Sequence, residues 1–77
     1  MYYVYLLKSL KNKSWYIGYT TDLKARFTRH NKGLNKSTKA KAPWKLIYYE
    51  AYLNQTHAKG RERFLKSGSG RKFLKNN

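Results

Sequence analysis

Apolar residues run without a break from Tyr2 to Leu7. Both faces of an extended chain would then be apolar, which predicts a strand covered on both sides. Lys8 to Ser14 is polar, with turn chemistry at Asn12, and Trp15 to Thr20 returns to strand-forming residues. The opening segment therefore predicts a hairpin. Its parity matters, because successive side chains alternate between faces. An odd pairing sum puts Tyr5 and Tyr16 on the same face of the sheet, and an even sum separates them.

After the hairpin the period changes. Leu23 and Phe27 are spaced i, i+4, which predicts a helix starting near Thr21, capped by Thr20 or Thr21, with Asp22 favourable in its first turn. Gly33 is placed to end it. Arg26 and His30 share the i, i+4 spacing on a neighbouring stripe. Leu34 to Pro43 is a long polar loop carrying Lys36, Lys39 and Lys41, and loops of this length are usually functional or mobile. Trp44 to Leu53 predicts a third strand. Asn54 is placed to cap a second helix running to about Ser67, in which Ala58, Glu62 and Leu65 fall on one face. Gly60 inside that helix costs roughly 1 kcal/mol relative to alanine, which suggests close packing there. Ser67 to Gly70 should break the helix, and Arg71 to Leu74 should add a final turn or two.

Composition narrows what such a chain can do. Its 77 residues have room for one domain, 1–77, and one modest core. Hydrophobic residues make up 40% and aromatics 17%, enough to fold and too much for a disordered basic tail. Eighteen lysines and arginines face three acids, for a formal net charge of +15. A charge of that size repels itself on compaction, so a polyanion is its natural partner. There is no long apolar span or lipidation signal, and the lysines are scattered over every segment rather than set on one helix face. A membrane is therefore not the expected partner. Without cysteine there is no disulfide framework or thiolate metal site, and the amino terminus lacks a signal-peptide pattern. A cytoplasmic protein is expected.

The short list of acids limits where a divalent ion could bind. Asp22 is explained by a helix amino terminus, and Glu50 can pair with a nearby lysine. Glu62 lies on or beside the inward stripe of its helix, between Arg61 and Arg63. It can form a salt bridge with those arginines, or hold one Mg²⁺ that itself contacts a phosphate. Tyr5 and Tyr16 are ordinary core residues unless a base takes a phenolic proton. The positive field favours phenolate, and His30 could be that base. Arg26 offers a planar fork for a phosphate. His57 has no such setting and reads as surface.

Taken in order, Tyr3-Val4-Tyr5, Tyr16-Ile17-Gly18, a helix with Arg26 and His30, and a helical Glu62 resemble the GIY-YIG nuclease domain. The resemblance spans Tyr2 to about Leu74. It is strongest to the small stand-alone bacterial members, and extends more distantly to the nuclease domain of the bacterial excision-repair incision enzyme. It implies an α+β fold, a small three-stranded antiparallel sheet flanked by helices. It also implies an endonuclease that hydrolyses phosphodiesters with one divalent metal, Mg²⁺ or Mn²⁺. By that likeness Tyr5 would activate or position the attacking water and Tyr16 would assist. Gly18 would permit close backbone approach, Arg26 would bind the scissile phosphate, His30 would take the Tyr5 proton, and Glu62 would hold the metal.

Two positions depart from the family pattern. Tyr3 stands where the family name has glycine. Many catalytic members also carry an asparagine on a helix after the glutamate. Here that stretch is Arg71 to Leu74, with Asn76 and Asn77 at the extreme end, and the asparagine's role is not assigned. Weak sequence preference is expected, with phosphate contacts from Arg29, Lys36, Lys39, Lys41 and Arg71. DNA is favoured over RNA as partner, and the chain is expected to be a monomer or a weak homodimer. The alternative is a non-catalytic DNA- or RNA-binding module on the same fold, including an accessory protein on structured RNA.

Overall fold

A computed structural model describes residues 1–76. The elements run β1 (Tyr2–Ser9), β2 (Trp15–Thr20), α1 (Leu23–Asn31), β3 (Trp44–Tyr52), α2 (Gln55–Lys66) and α3 (Gly68–Lys75), with a 3-10 turn at Lys39–Lys41. The three strands form one antiparallel sheet in the order β2-β1-β3. Helices cover both faces, which makes the fold α+β as expected.

The continuous apolar run of β1 follows from its central place. Val4 and Leu6 face α2 and α3, where they pack with Ile17, Ala58, Leu65 and Leu74. Tyr5 and Leu7 face the other way and pack with Trp44, Tyr16, Leu23 and Phe27. Each face buries its own small core, so neither set of β1 side chains can be polar.

The hairpin has the odd pairing sum. Tyr5 is opposite Gly18 and Leu7 is opposite Tyr16, which places Tyr5 and Tyr16 on the same face as α1. The turn is held by Ser9 Oγ, which accepts from the Lys11 and Asn12 amides, and by Asn12 Oδ1, which accepts from Ser14. On the other side β3 pairs with β1 through a register shift between Leu6 and Leu7 that leaves Ile47 unpaired. This bulge changes which face each β3 residue meets. Trp44 and Leu46 join the α1 side, whereas Tyr48 and Tyr52 join the α2 side.

The structure corrects the sequence reading of the helices in three places. Asp22, rather than Thr20 or Thr21, caps α1, accepting from the Ala25 amide at 3.1 Å. Thr20 instead accepts from the Asp22 amide. Gly33 does end that helix, with φ of 70°. Asn54 caps α2 through the His57 amide, as expected. Ser67 to Gly70 is not only a break, because Ser67 closes α2 and also caps α3, whose first turn is Gly68 to Gly70.

The third correction concerns glycine. Gly60 is exposed and a Cβ there would meet nothing, so no close packing explains it. The close approach is at Gly70, where a Cβ would lie 2.5 Å from Leu65 Cα and against the Phe64 carbonyl. Gly70→Ala is therefore expected to destabilise the fold by about 2 kcal/mol or more, through forced separation of α2 and α3. Gly60→Ala should be stabilising by roughly 1 kcal/mol. Urea denaturation of the two variants measures both values.

Candidate active site

Tyr5, Tyr16 and His30 meet on the α1 face. Strand β1 fixes Tyr5, strand β2 fixes Tyr16, and the last turn of α1 presents His30 above both. The Tyr5 hydroxyl lies 2.9 Å from His30 Nε2. The Tyr16 ring sits 5.0 Å from the imidazole and 6.3 Å from the Tyr5 ring, centroid to centroid. Tyr5 is 1% exposed and His30 0%. Gly18 makes this possible. A Cβ at that position would collide with the Tyr5 ring, lying 2.5 Å from Cζ. What approaches closely there is the Tyr5 phenol.

The second nitrogen of His30 is also engaged. Nδ1 is 2.8 Å from Thr38 Oγ1, and Thr38 in turn donates to the Asn35 carbonyl. A hydroxyl that donates onward is free to accept, which assigns the proton to Nδ1 and the lone pair to Nε2. The Asn35 side-chain nitrogen Nδ2 lies 3.3 Å from the same Nδ1, a longer and weaker contact than the one to Thr38. In this tautomer Tyr5 donates to His30. Thr38 is fully buried, and its carbonyl accepts from Trp44 Nε1 at 3.0 Å. The long loop is thus tied to the core where it supports the histidine. Neither Thr38 nor Asn35 was a sequence candidate, because a threonine and an asparagine in a polar loop carry no periodic signal.

Electrostatics at the phenol correct one expectation. Burial, reinforced by the neighbouring Tyr16, pushes the Tyr5 hydroxyl up to about 12. Arg26 acts in the opposite direction through its charge and its hydrogen bonding, and Glu62 adds to the rise. The overall positive field does not win, because desolvation of a buried phenolate outweighs it. Tyr5 is a neutral phenol at rest. His30 is shifted below its ordinary value by burial and by Arg26 and Arg29, so it is neutral at pH 7 and able to accept a proton.

The charges of Arg26 and Glu62 both act on this phenol, from helices on opposite faces of the sheet. Arg26 is one turn before His30 on α1, half-buried. Glu62 is on α2, between the buried Ala58 and Leu65 on the stripe that packs on the sheet. It pairs with Lys66 at 3.0 Å rather than with Arg61 or Arg63, leaving Oε1 without a hydrogen-bond partner among the described residues. An open hollow of about 340 Å³ lies beside it, lined by Lys59, Arg63 and Lys66. Among the described residues no group of three His, Asp or Glu side chains is placed to hold an ion.

Glu50 is also differently partnered from the expected lysine. Its carboxylate accepts from Arg61 at 2.7 and 2.9 Å and from the Tyr48 and Tyr52 hydroxyls. Those bonds hold it down at about 2. Asp22 serves as a cap, and His57 is exposed.

The predicted phosphate contacts divide into two groups. Arg29, Lys36 and Lys39 are exposed on the side of α1 and its following loop. Lys41 and Arg71 come together with Lys8, Lys13 and Lys75 around Trp15. The stretch Arg71 to Leu74 lies within α3, which Asn76 caps at its end, and Asn77 is outside the described residues. No helix among the described residues is long and apolar enough to cross a membrane.

Comparison with known proteins supports the fold. The family model described as the GIY-YIG catalytic domain matches residues 1–76. A UPF0213 protein of Staphylococcus haemolyticus is 40% identical over 75 residues, covering 96% of this chain and 90% of the relative. One of Pediococcus pentosaceus is 44% identical over 80 residues, covering 99% and 83%. The solution NMR structure of a UPF0213 protein from Bacillus halodurans superimposes with a TM-score of 0.59 at 34% identity, covering 99% of this chain and 84% of that one.

Proposed function

The chain belongs to the GIY-YIG catalytic domain family, and on that premise we propose that it is a metal-dependent endonuclease of low sequence specificity, acting on DNA in preference to RNA. The observation that carries this reading is the buried Tyr5–His30 hydrogen bond, at 2.9 Å, with the charges of Arg26 and Glu62 both felt at the same phenol. A tyrosine that only filled core volume would need neither a histidine on its hydroxyl nor a place within the field of two opposite charges.

The roles follow from the donors and acceptors. His30 Nε2, carrying the lone pair, takes the phenolic proton as the Tyr5 oxygen takes one from the attacking water, whose oxygen bonds to phosphorus while the bond to the leaving oxygen breaks. Nδ1–H remains on Thr38, so the imidazolium that forms keeps a hydrogen-bond partner. Arg26 binds the scissile phosphate and meets the charge that grows on it. Tyr16 packs against the imidazole, fixing its plane and narrowing the entry of water.

Glu62 offers one carboxylate oxygen beside an open hollow whose other lining residues, Lys59, Arg63 and Lys66, are cations, so it would hold a hard divalent ion only jointly with a substrate phosphate. Mg²⁺ and Mn²⁺ retain waters and are commonly held by one or two carboxylates plus substrate phosphate. When bound there, such an ion supplies charge neutralisation at the phosphate and at the leaving oxygen. Exposed lysines and arginines favour phosphate contacts over reading of bases, consistent with weak sequence preference. The absence of cysteine suits a reducing cytoplasm.

Purified protein incubated with labelled branched, nicked and single-stranded DNA, and with matched RNA, tests this reading. Cleavage is expected with Mg²⁺ or Mn²⁺, and chelation should abolish it. Binding without cleavage under either ion would overturn the enzyme in favour of a binding module on this fold.

A further inference from the structure

We propose that the cleft at the turn end of the β1–β2 hairpin is a second phosphate-binding site, which grips the nucleic-acid backbone outside the reaction centre. This rests on nucleic acid being the partner, as argued above, but not on its being cut. The cleft has a volume of about 480 Å³ and collects five cations from three separate parts of the chain. Lys8 and Lys13 come from the hairpin, Lys41 from the 3-10 turn, and Arg71 and Lys75 from α3. Among the described residues no aspartate or glutamate lines it. The three acids are all engaged elsewhere, Asp22 at its cap, Glu50 on Arg61 and Glu62 on Lys66. Five like charges around one hollow repel each other, and a polyanion relieves that repulsion.

The cations are held in place by their surroundings. Arg71 and Lys75 are one turn apart on α3 and so share a stripe. The Arg71 guanidinium lies over the Trp15 ring, 6.0 Å from its centroid. Stacking of this kind orients the fork while its edge N–H groups stay free for phosphate oxygens. The Lys41 backbone is fixed because its carbonyl accepts from Ser9 Oγ at 2.7 Å. Lys13 has φ of 65°, a left-handed conformation that asparagine or glycine adopts more readily. A lysine is found there nonetheless, at the rim of the cleft.

Position relates this cleft to the candidate active site. Trp15 immediately precedes Tyr16 on β2, and successive residues point to opposite faces. The two sites therefore flank one edge strand. A backbone passing around the end of that strand touches both, so the cleft would set where along the strand the scissile bond falls.

The test is a salt titration of binding to labelled duplex and single-stranded oligodeoxynucleotides, without divalent metal so that cleavage cannot interfere. A triple variant, Lys13→Asn, Arg71→Gln and Lys75→Gln, is compared with a control of equal charge loss, Lys24→Gln, Lys32→Gln and Lys59→Gln. All six residues are exposed. For the cleft variant, affinity near 0.1 M salt should fall roughly tenfold per cation removed, and the salt slope should shrink by about one per cation. The control should lose much less. A single Lys75→Glu change should act in the same direction as the triple, and a thermal melt of each variant checks that the fold is intact. Equal losses in both triples would overturn the cleft, since net charge alone would then explain binding. Cleavage is assayed separately. Protein that binds with the cleft-dependent slope yet never cuts keeps this site and removes the nuclease. Protein that cuts but binds indifferently to the cleft changes does the reverse.

Discussion

Tyr5→Phe is expected to lower the cleavage rate by about three orders of magnitude at saturating DNA and metal, with binding retained. Phenylalanine keeps the ring that packs over Gly18 and beside Tyr16. Only the hydroxyl is lost, and with it the proton path to His30. Loss of a positioned acid–base group typically costs about a hundredfold to ten-thousandfold. The variant also leaves His30 Nε2 buried without its partner, which should cost about 1–3 kcal/mol of stability. Rates must therefore be compared well below its unfolding midpoint. Glu62→Gln, close in volume but uncharged, should show a similar loss of rate that added metal does not rescue. Wild-type cleavage by the Phe variant would reduce the Tyr5–His30 bond to a feature of the core. The pH profile is a further check on the same prediction. Because burial and two arginines lower the His30 pKa, the acidic limb of cleavage should lie below the ordinary histidine value of 6.5.

Glu50→Ala is expected to be the most destabilising single change, at about 3 kcal/mol. The carboxylate organises the α2 side of the sheet by accepting from Arg61 and from the Tyr48 and Tyr52 hydroxyls. Removing it leaves a cation and two phenols without their acceptor. The Arg61 side chain is 31% exposed, so water recovers part of the loss, and the effect should stay toward the lower end of what buried pairs show. For a domain of this size that is a large fraction of total stability. Urea denaturation measures it, and an unchanged midpoint would show that the cluster contributes specificity rather than stability. The acid limb follows with a definite sign. Folded Glu50 titrates at about 2 instead of 4.5, so its contribution is complete above the unfolded value and is lost as pH falls from about 4.5 toward 2. The alanine variant should lack that part of the acid-induced decline.

Much of the fold was legible because it rests on local periodicity. The unbroken apolar run of β1 requires cover on both faces, and Asn54 and Gly33 are turn and cap residues whose chemistry acts within a few positions. The shared face of Tyr5 and Tyr16 depended on a single parity, which the hairpin settled. What could not be read involves contacts between distant segments. Gly70 is required by the backbone of α2, whereas Gly60, which looks more conspicuous in the sequence, touches nothing. Arg61 turns to Glu50, eleven residues earlier, and so leaves Glu62 to Lys66. The ionisation of Tyr5 went against the sign of the net charge because desolvation depends on burial, which composition does not reveal. Thr38 and Asn35 support His30 only because the loop folds back, and nothing in their spacing announces that.

The central position of β1 has a consequence for how the molecule breathes. Its backbone is hydrogen-bonded on both edges, so its amides exchange with solvent chiefly when the whole domain opens. His30 instead belongs to a nine-residue helix followed by a loop, a unit with fewer bonds to break. The phenol is therefore expected on the slowest-exchanging part of the protein, and its proposed proton acceptor on a faster one. Fluctuations that open the pair would then move the histidine away from a tyrosine that stays in place, so the proposed reacting geometry would be recovered each time against the same reference.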